Sequence, residues 1–343
     1  MWLLYGANGT TGRILLRQWA EEGKRRDIPP PILAGRQAEV LSDLGESYNL
    51  PTRAFTLKDL EKQDFQGIRL IVNFAGPYED TQEPWLNLCL EGGIDYMDIS
   101  GEWRSIGTLY ERADRYAAAG RAVIVAAGFD TVAGEAALWA YRQKYPQAQR
   151  LRLGIYAEGG FSAGTARSAF RMLPHGFWGY EKGQFVPLRN GRKIALPDGR
   201  VRHFWPATLA ELKTFPAWQE IERLETYVAV PPRYARWTQL LEGIAAIAPA
   251  ARFLDRLIAS QRLRLATEMD LSAPSFLFVE AEDTPERLWL QTPQAYAFTA
   301  EAVLEVVRLY FQQGAQPGVR SAFSQYPQAL WKSLPFQVRF QPA

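Results

Sequence analysis

The sequence is poor in the residues that form disulfides and metal sites. It has one cysteine, Cys89, and two histidines, His175 and His203, among 343 residues. A single cysteine excludes an internal disulfide, and without a Cys/His cluster we expect no structural zinc or other metal site. Cys89 lies in an apolar helical pattern, which favours a core thiol over a nucleophile.

An excess of one charge and long apolar runs are also absent. The 39 basic residues nearly balance the 37 acidic ones, so no broad basic field is available to bind nucleic acid. The chain has no uninterrupted apolar stretch of about 20 residues, the length that a membrane-spanning helix needs, and no signal peptide precedes the first strand pattern. We therefore expect a cytoplasmic protein.

Residues 237–265 qualify that expectation. They are rich in apolar residues and arginines, and Pro249 and Asp255 interrupt them. Two interpretations stay open: a core or interface helix pair, compatible with a homodimer, or a surface that contacts a membrane or a lipid-like substrate. The second would place the protein at the membrane periphery.

The first pattern that is present is a glycine-rich turn. It lies between a short buried strand pattern at residues 3–5 and helical spacing at residues 14–19. Glycines permit the tight turn and a close approach of the backbone to phosphates, and the helix N-terminus supplies N–H groups and the positive end of its dipole. We predict a dinucleotide site that includes Gly6, Asn8, Gly9, Thr10, Thr11 and Gly12.

The end of the second strand indicates which dinucleotide binds. Residues 31–34 form a strand pattern that ends in Gly35-Arg36, with no acid between Leu33 and Gln37. NAD sites place Asp or Glu there for the ribose hydroxyls, whereas arginine accommodates a 2′-phosphate. Arg36 therefore predicts NADP(H), with NAD(H) less favoured. The alternative is a solvated surface charge.

Residues 1–132 alternate between strand and helix patterns, which predicts an α/β fold: a Rossmann-type doubly wound parallel sheet. Ligands of such sheets bind at the carboxyl ends of the strands. Further cofactor contacts are therefore predicted at Ala75, Gly76, Pro77 and Ser100. The candidate catalytic residues at the same ends are Tyr78, Asp98, Glu102 and Asp130.

Each of these candidates has a second interpretation. Tyr78 could donate a proton or form a wall beside the nicotinamide. Asp98 and Glu102 could act in catalysis or cap the helix that begins near Glu102, because acids are stabilised at helix N-termini. Asp130 could contact the substrate or cap its own helix.

From Ala133 the pattern changes to an α+β domain, assigned to residues 133–295, that would bind substrate or dimerise. It is inserted before the C-terminal helices, so residues 296–343 return to the first domain, with an amphipathic helix from Thr299 to Phe311 packing there. Strands are predicted at 151–156 and 276–279, and a hairpin around Asn190-Gly191. A loop that contains a glycine, together with the residues after it, either contacts the substrate or forms a plain turn. The candidate substrate-binding residues there are Ser162, Thr165, Arg167, Ser168 and Arg171. His175 is a further candidate acid or a loop histidine.

Seven segments, taken in order along the chain, match motifs of one protein family. They are Tyr5-Gly-Ala-Asn-Gly-Thr-Thr-Gly12, Ala34-Gly-Arg36, Asn73-Phe-Ala-Gly-Pro-Tyr78, Asp95-Tyr-Met-Asp-Ile-Ser-Gly-Glu102, Gly128-Phe-Asp130, Ser162-Ala-Gly-Thr-Ala-Arg-Ser168 and Tyr296-Ala-Phe-Thr-Ala-Glu301. Together they resemble the saccharopine dehydrogenase-like oxidoreductases, including the trans-acting enoyl reductase branch. The resemblance implies a Rossmann domain, an inserted substrate domain and NAD(P)-linked chemistry. Residues 170–265 align with nothing in the family and leave the substrate open.

The predicted function is an NADPH-dependent oxidoreductase that reduces a C=C (enoyl) or C=N bond of an apolar or amphipathic small molecule. One alternative is a saccharopine-type amino-acid imine dehydrogenase, whose carboxylate-bearing substrate requires arginine clamps such as Arg167 and Arg171. The other is a non-catalytic NADP-binding sensor, scaffold or lipid-surface protein, because no diagnostic acid/base pair stands out.

Overall fold

The computed structural model describes residues 1–23, 26–158, 176–229 and 270–343. It divides into two compact units: Met1–Val132 with Tyr296–Leu334, and Ala133–Ala295 with Pro335–Ala343. Some predicted positions lie outside the described residues: Ser162, Thr165, Arg167, Ser168, Arg171, His175 and residues 237–265.

Sixteen strands are described. In chain order they are β1 (Trp2–Tyr5), β2 (Pro31–Gly35), β3 (Thr52–Ala54), β4 (Leu70–Asn73), β5 (Asp95–Asp98), β6 (Ala122–Val125), β7 (Arg150–Ala157), β8 (Trp178–Glu181), β9 (Gln184–Pro187), β10 (Arg192–Ala195), β11 (Val201–Pro206), β12 (Arg223–Ala229), β13 (Ser275–Ala281), β14 (Glu286–Thr292), β15 (Gly318–Ser321) and β16 (Gln337–Pro342).

The described α-helices are α1 (Thr10–Gln18), α2 (Ala38–Tyr48), α3 (Tyr78–Gly92), α4 (Trp103–Glu111), α5 (Ala113–Ala118), α6 (Phe129–Lys144), α7 (Glu211–Thr214), α8 (Ala295–Gln313), α9 (Ala322–Gln325) and α10 (Pro327–Ser333). A π-helical turn covers Trp19–Gly23, and a 3₁₀ helix covers Leu57–Lys62. Within the described parts of the chain, no helix has the length and apolar character needed to cross a bilayer.

The first unit contains seven parallel strands in the order β15-β6-β5-β4-β1-β2-β3. Every residue of β1, β2, β4 and β6 is buried, as expected for a parallel sheet that helices cover on both faces. The Rossmann-type doubly wound sheet is confirmed. The strand β15, which pairs with β6, was not predicted.

The helix α8 returns to the first unit, as predicted. Its Ala297 carbonyl accepts a hydrogen bond from Gln18 Nε2 at 3.0 Å, and its Tyr310 hydroxyl donates to Asp95 Oδ2 at 2.7 Å. These contacts join α8 to α1 and to the start of β5. The helix is therefore part of the nucleotide-type unit although it lies far away in the sequence.

The second unit contains a nine-stranded sheet with the main order β10-β11-β12-β7-β13-β14-β16, and β8 and β9 extend from β12. The strands predicted at 151–156 and 276–279 are confirmed, because β7 and β13 pair antiparallel. On one face a core cluster includes Phe204 and Phe278, whose rings meet edge to face with centroids 5.1 Å apart. The neighbouring β7–β12 pair is parallel, so this sheet is mixed.

Two predictions about this unit are wrong. The strands beside Asn190-Gly191 do not pair with each other: β9 pairs with β8, and β10 pairs with β11. Residues 335–343 also belong to the second unit rather than to the first, because β16 pairs antiparallel with β14. In the first case each strand forms a hairpin with its other neighbour, β9 with β8 across Lys182-Gly183 and β10 with β11 across Asp198-Gly199. In the second case β16 pairs with a strand that lies far away in the sequence.

Candidate functional site

The glycine-rich turn between β1 and α1 uses its glycines for two different purposes. Gly6 has φ +87°, and a Cβ there would lie 3.1 Å from Ala75 N, so glycine permits both the turn and the approach of the neighbouring loop. A Cβ on Gly12 would lie 2.5 Å from the Ala7 carbonyl oxygen. Gly12 therefore allows α1 to pack closely on the turn.

The N-terminus of α1 is open. Gly9 is the N-cap residue, no side chain caps the helix, and its first turn contains no acid. The first N–H groups of a helix have no partner within the helix and favour an anion. Arg13 Nε donates to the Asn8 carbonyl at 3.1 Å and braces the turn. This arrangement fits a dinucleotide pyrophosphate.

Arg36 follows β2 next to this turn. Its side chain is exposed, and no hydrogen bond or ion pair to another described residue is present. The adjacent Gln37 accepts a hydrogen bond from Asn8 Nδ2 at 2.5 Å, which links the glycine turn to the loop that carries Arg36. Burial raises the pKa of the Tyr5 hydroxyl, and the charge of Arg36 opposes that shift.

The turn after β4 is held by side chains that the sequence analysis did not identify. Asn73 Oδ1 accepts from the Ala75 amide at 2.9 Å, and Thr81 Oγ1 donates to the Ala75 carbonyl at 2.6 Å. The Gly76–Pro77 peptide bond that follows is cis. Asn73 is fully buried; a polar residue at the end of an apolar strand is a usable signal for such a role, whereas Thr81 offered none.

Tyr78 begins α3 and is almost fully buried, with 7% of its surface exposed. Its hydroxyl donates a long hydrogen bond of 3.4 Å to the Asn73 carbonyl, and the Ile99 backbone amide also interacts with it. Burial, followed by the nearby charges of Asp98 and Glu102, raises the pKa of Tyr78 well above its ordinary value. A phenol with a raised pKa is a weaker acid. This favours the interpretation of Tyr78 as a wall beside the nicotinamide over its interpretation as a proton donor.

Glu102 caps a helix, but a different one from that predicted. Its Oε2 accepts from the amides of Tyr78 and Glu79, at 3.1 and 3.2 Å, so it caps the N-terminus of α3. Its side chain makes no capping bond to α4, the helix that begins directly after it. The reason is geometric: β4 pairs with β5, so the start of α3, which follows β4, lies beside the loop after β5 that carries Glu102.

Asp98 is completely buried, and both of its oxygens are engaged. Oδ1 accepts from the Ser100 amide and hydroxyl, at 3.0 and 2.7 Å, and from the Ala126 amide at 3.1 Å; Oδ2 accepts from Gln82 Nε2 at 2.6 Å. Burial raises its pKa, although these hydrogen bonds oppose the shift. Asp98 and the buried Ser100 are therefore bonded to each other, and Asp98 is also bonded to the end of β6.

Asp130 lies in the first turn of α6 and is half-buried. A Cβ on Gly101 would lie 2.7 Å from Asp130 Oδ2, so that glycine makes room for the carboxylate. Burial raises the pKa of Asp130, although hydrogen bonds from the Thr131 amide and from its own amide oppose the shift. Among the described candidate acids, Asp130 best combines a raised pKa with partial exposure.

All of these positions lie at one edge of the parallel sheet. The strands β2, β1, β4, β5 and β6 are neighbours in that order, so their carboxyl ends form a continuous rim. The glycine turn, Arg36, the turn after β4, Glu102 and Asp130 all follow one of these ends. The sequence-predicted convergence of strand ends is therefore present in the described first unit.

This fold and this rim define the class: a two-unit protein with the architecture of a Rossmann-type dehydrogenase. Among solved structures, the chain is similar to apo saccharopine dehydrogenase (L-Glu forming) from Saccharomyces cerevisiae, with a TM-score of 0.66 over 99% of both chains. The sequence identity is 11%, so this likeness concerns the fold alone.

Proteins of similar sequence indicate which oxidoreductases the chain resembles. No family model matches the chain. The chain is 27% identical over 190 residues, half of its length, to a Mycobacterium tuberculosis protein named as a trans-acting enoyl reductase, and covers 43% of that protein. It is 27% identical over 153 residues, 40% of its length, to a protein named as a mitochondrial saccharopine dehydrogenase-like oxidoreductase of Arabidopsis thaliana, and covers 33% of it.

The saccharopine dehydrogenase-like oxidoreductase of Bos taurus is 28% identical over 151 residues, with 38% of this chain and 34% of that protein covered. The chain thus matches less than half of the length of each of these relatives. The predicted resemblance to saccharopine dehydrogenase-like oxidoreductases and trans-acting enoyl reductases is confirmed in sequence, and the fold resembles that of saccharopine dehydrogenase.

Proposed function

We propose that this protein is an NADPH-dependent oxidoreductase that reduces a C=C or C=N bond of an apolar or amphipathic small molecule. The observation that carries the cofactor preference is Arg36, an exposed arginine at the end of β2 with no counter-charge among the described residues. An arginine at this position accommodates a 2′-phosphate, whereas an NAD site uses an acid. The oxidoreductase names of the relatives support the class of reaction.

Different residues of the rim bind different parts of the cofactor. The open N-terminus of α1 binds the pyrophosphate, and Arg36 binds the 2′-phosphate of the adenosine. The Asn8–Gln37 hydrogen bond keeps these two binding elements in register. The turn at Ala75, Gly76 and Pro77, backed by Tyr78, walls the nicotinamide. The bound cofactor supplies a hydride.

Asp130 holds the proton that the reaction needs. Its carboxyl group is half-buried and has a pKa raised above the ordinary value, and a raised pKa favours a carboxyl group as a general acid. The proton goes to the substrate atom beside the carbon that accepts the hydride. Glu102 and Asp98 position this site by capping α3 and by joining β5 to β6.

The two alternatives predict different measurements. A saccharopine-type imine dehydrogenase would turn over amino-acid imines; its predicted clamps, Arg167 and Arg171, lie outside the described residues. A non-catalytic sensor or scaffold would bind NADPH tightly without turning over either enoyl or imine substrates. Homodimerisation and lipid contact through 237–265 also stay predictions.

The cofactor assignment is tested by fluorescence titration of the protein with NADPH and NADH. We expect tighter binding of NADPH, and in the Arg36→Ala variant a loss of about ten- to a hundredfold for NADPH only, because a charge-assisted hydrogen bond contributes about 1.5–3 kcal/mol. Arg17→Ala is the matched control, since Arg17 is an exposed arginine of α1 paired only with Glu21. Equal losses in both variants, or an unchanged NADPH affinity in Arg36→Ala, would overturn the assignment.

The reaction is then tested by following NADPH oxidation with panels of enoyl thioesters and amino-acid imines. Turnover of either panel supports the oxidoreductase and selects the bond that is reduced. Tight binding without turnover across both panels would support the scaffold instead.

A further inference from the structure

A cavity in the second unit shares no lining residue with the site described above, and four of its ten lining residues are arginines. Its volume is about 400 Å³, which is within the range of small-molecule sites. Its walls come from β7, from β12 and from the loop before β10. The charged groups that line it are Arg152, Arg189, Arg192, Arg223 and Glu225.

The single carboxylate that lines the cavity, Glu225, already has three partners. Glu225 Oε2 accepts from the Tyr227 hydroxyl at 2.7 Å and from Arg152 Nε at 3.0 Å, and Oε1 lies 2.6 Å from Arg223 Nη2. Burial disfavours the ionised form, but these hydrogen bonds and the two arginines outweigh it and lower the pKa of Glu225. The carboxylate is therefore ionised, and Arg152 and Arg223 compensate its charge.

The positive and negative charges of the surrounding ion pairs are equal in number without Arg189. Within the described residues, the pairs connected to this cavity join five arginines to five glutamates: Arg150, Arg152, Arg192, Arg223 and Arg287 with Glu181, Glu222, Glu225, Glu280 and Glu282. Arg189 is exposed and has no hydrogen bond or ion pair in that part of the chain. It is the uncompensated positive charge of the cavity.

Hydrogen-bond donors also exceed acceptors here. A guanidinium carries five N–H donors, yet Arg192 contacts a carboxylate only through Nη2, 3.1 Å from Glu280. Arg223 Nη1 lies 3.8 Å from Glu181, too far for a hydrogen bond. The Nε atoms of both arginines have no acceptor among the described residues, but they are enclosed, so the donors left for a ligand are Nη groups. A group rich in acceptor oxygens would satisfy these Nη donors.

We propose that this cavity binds the oxyanion of a small molecule, a phosphate or carboxylate group held by Arg189 and by the free donors of Arg192 and Arg223. Arginine forks suit both anions because they offer parallel N–H donors. The space beside Pro187, Leu188 and Tyr227 takes the uncharged part of the ligand. The source of the anion is either a soluble metabolite or a phospholipid headgroup, which have the same binding chemistry.

The test is calorimetric titration of the full chain with inorganic phosphate and with glutarate. We expect saturable, salt-sensitive binding of at least one of these anions, weakened about tenfold or more in Arg189→Ala. Arg189 makes no bond that the fold needs, so this variant should unfold at the wild-type temperature. Lys193→Ala is the matched control: Lys193 is exposed and next to Arg192 in β10, but it points to the other face of the sheet and should not affect binding.

A second arm separates this site from the proposed cofactor site, which could also bind phosphate. Anion binding that persists in Arg36→Ala but weakens in Arg189→Ala supports the cavity. Three results would overturn the proposal. The first is binding that weakens in Arg36→Ala but persists in Arg189→Ala. The others are an equal loss in Lys193→Ala, and no binding of either anion or of vesicles. Flotation with phosphatidylcholine vesicles, with and without phosphatidic acid, identifies the source: binding only to phosphatidic acid vesicles, lost in Arg189→Ala, indicates a headgroup.

Discussion

Asp98 Oδ1 accepts a hydrogen bond from the Ala126 amide at 3.1 Å, so one buried carboxylate ties the end of β5 to the end of β6. Ala126 has φ +55°, a left-handed conformation that is unfavourable for alanine. The Ala127 amide adds a bond of 2.8 Å to the Asp98 carbonyl. The rim of the candidate site is thus fixed at a position where the chain makes a strained turn.

We expect Asp98→Ala to lower the free energy of unfolding by more than about 3 kcal/mol, because it leaves several buried donors without an acceptor. Asp98→Asn keeps one oxygen for Ser100 and Ala126, and the Gln82 amide can turn to accept from the new N–H₂ group, so its loss should be clearly smaller. Urea unfolding of the two variants measures the difference. A stable Asp98→Ala protein without activity would point to a catalytic role instead.

The same carboxyl group should make stability depend on pH. Burial raises the folded-state pKa of Asp98 above the ordinary value of 3.8, so folding favours its protonated form. This contribution is fully present below the unfolded-state pKa and is lost as the pH rises through the folded-state pKa. Unfolding experiments across that range should show a slope in the wild type that is reduced in Asp98→Asn.

Tyr78 and Asp130 are distinguished by their effects on turnover. Tyr78→Phe should lower kcat/KM less than about tenfold, because the hydroxyl holds its proton and donates only weakly, over 3.4 Å, to the Asn73 carbonyl. Asp130→Asn should lower it by about a hundredfold or more, the usual effect of removing a general acid, while the new amide oxygen still accepts from Thr131. Wild-type activity should fall as the pH rises through the raised pKa of Asp130. A larger loss in Tyr78→Phe than in Asp130→Asn would identify the tyrosine as the donor.

The sequence predicted the parts of the site that are local in the chain. The glycine turn and Arg36 are each a short run of residues whose types imply a backbone conformation or a charge, and the strand ends follow from hydrophobic periodicity. The partners of Asp98 and Glu102 could not be predicted in this way. Gln82 and Ala126 reach Asp98 from separate elements, and the helix capped by Glu102 lies across the sheet edge from it.

The two errors in the second unit have different causes. Asn190-Gly191 is a valid turn signal, but β9 and β10 each form a hairpin with their other neighbour, across the turns at Lys182-Gly183 and Asp198-Gly199. The choice among neighbouring turn signals therefore cannot be read from one of them alone. The alternating pattern of β16 gave no indication that it pairs with β14, because that pairing depends on the burial of side chains from a distant part of the chain.

The glycines of the first turn should tolerate alanine differently. Gly12→Ala places a Cβ 2.5 Å from the Ala7 carbonyl oxygen, a backbone atom that cannot move aside; we expect a loss of about 1–3 kcal/mol and weaker NADPH binding. Gly9→Ala meets only the Gly6 carbonyl oxygen, at 3.2 Å, at a φ that alanine adopts. Thermal unfolding and NADPH titration compare them. Equal stability of the two variants would contradict the packing role of Gly12.

The return of α8 to the first unit is fixed partly by one buried hydroxyl. Thr299 Oγ1 accepts from the Phe129 amide at 2.9 Å and so caps the N-terminus of α6, the helix that carries Asp130. Thr299→Val keeps the shape but removes the acceptor and leaves a buried N–H group, so it should cost about 1–3 kcal/mol. Thr299→Ser keeps the oxygen and should cost less. A shift in the pH dependence of turnover in the valine variant, but not in the serine variant, would show that this cap positions Asp130. Equal stability of the two variants would show that the hydrogen bond contributes nothing measurable to the fold.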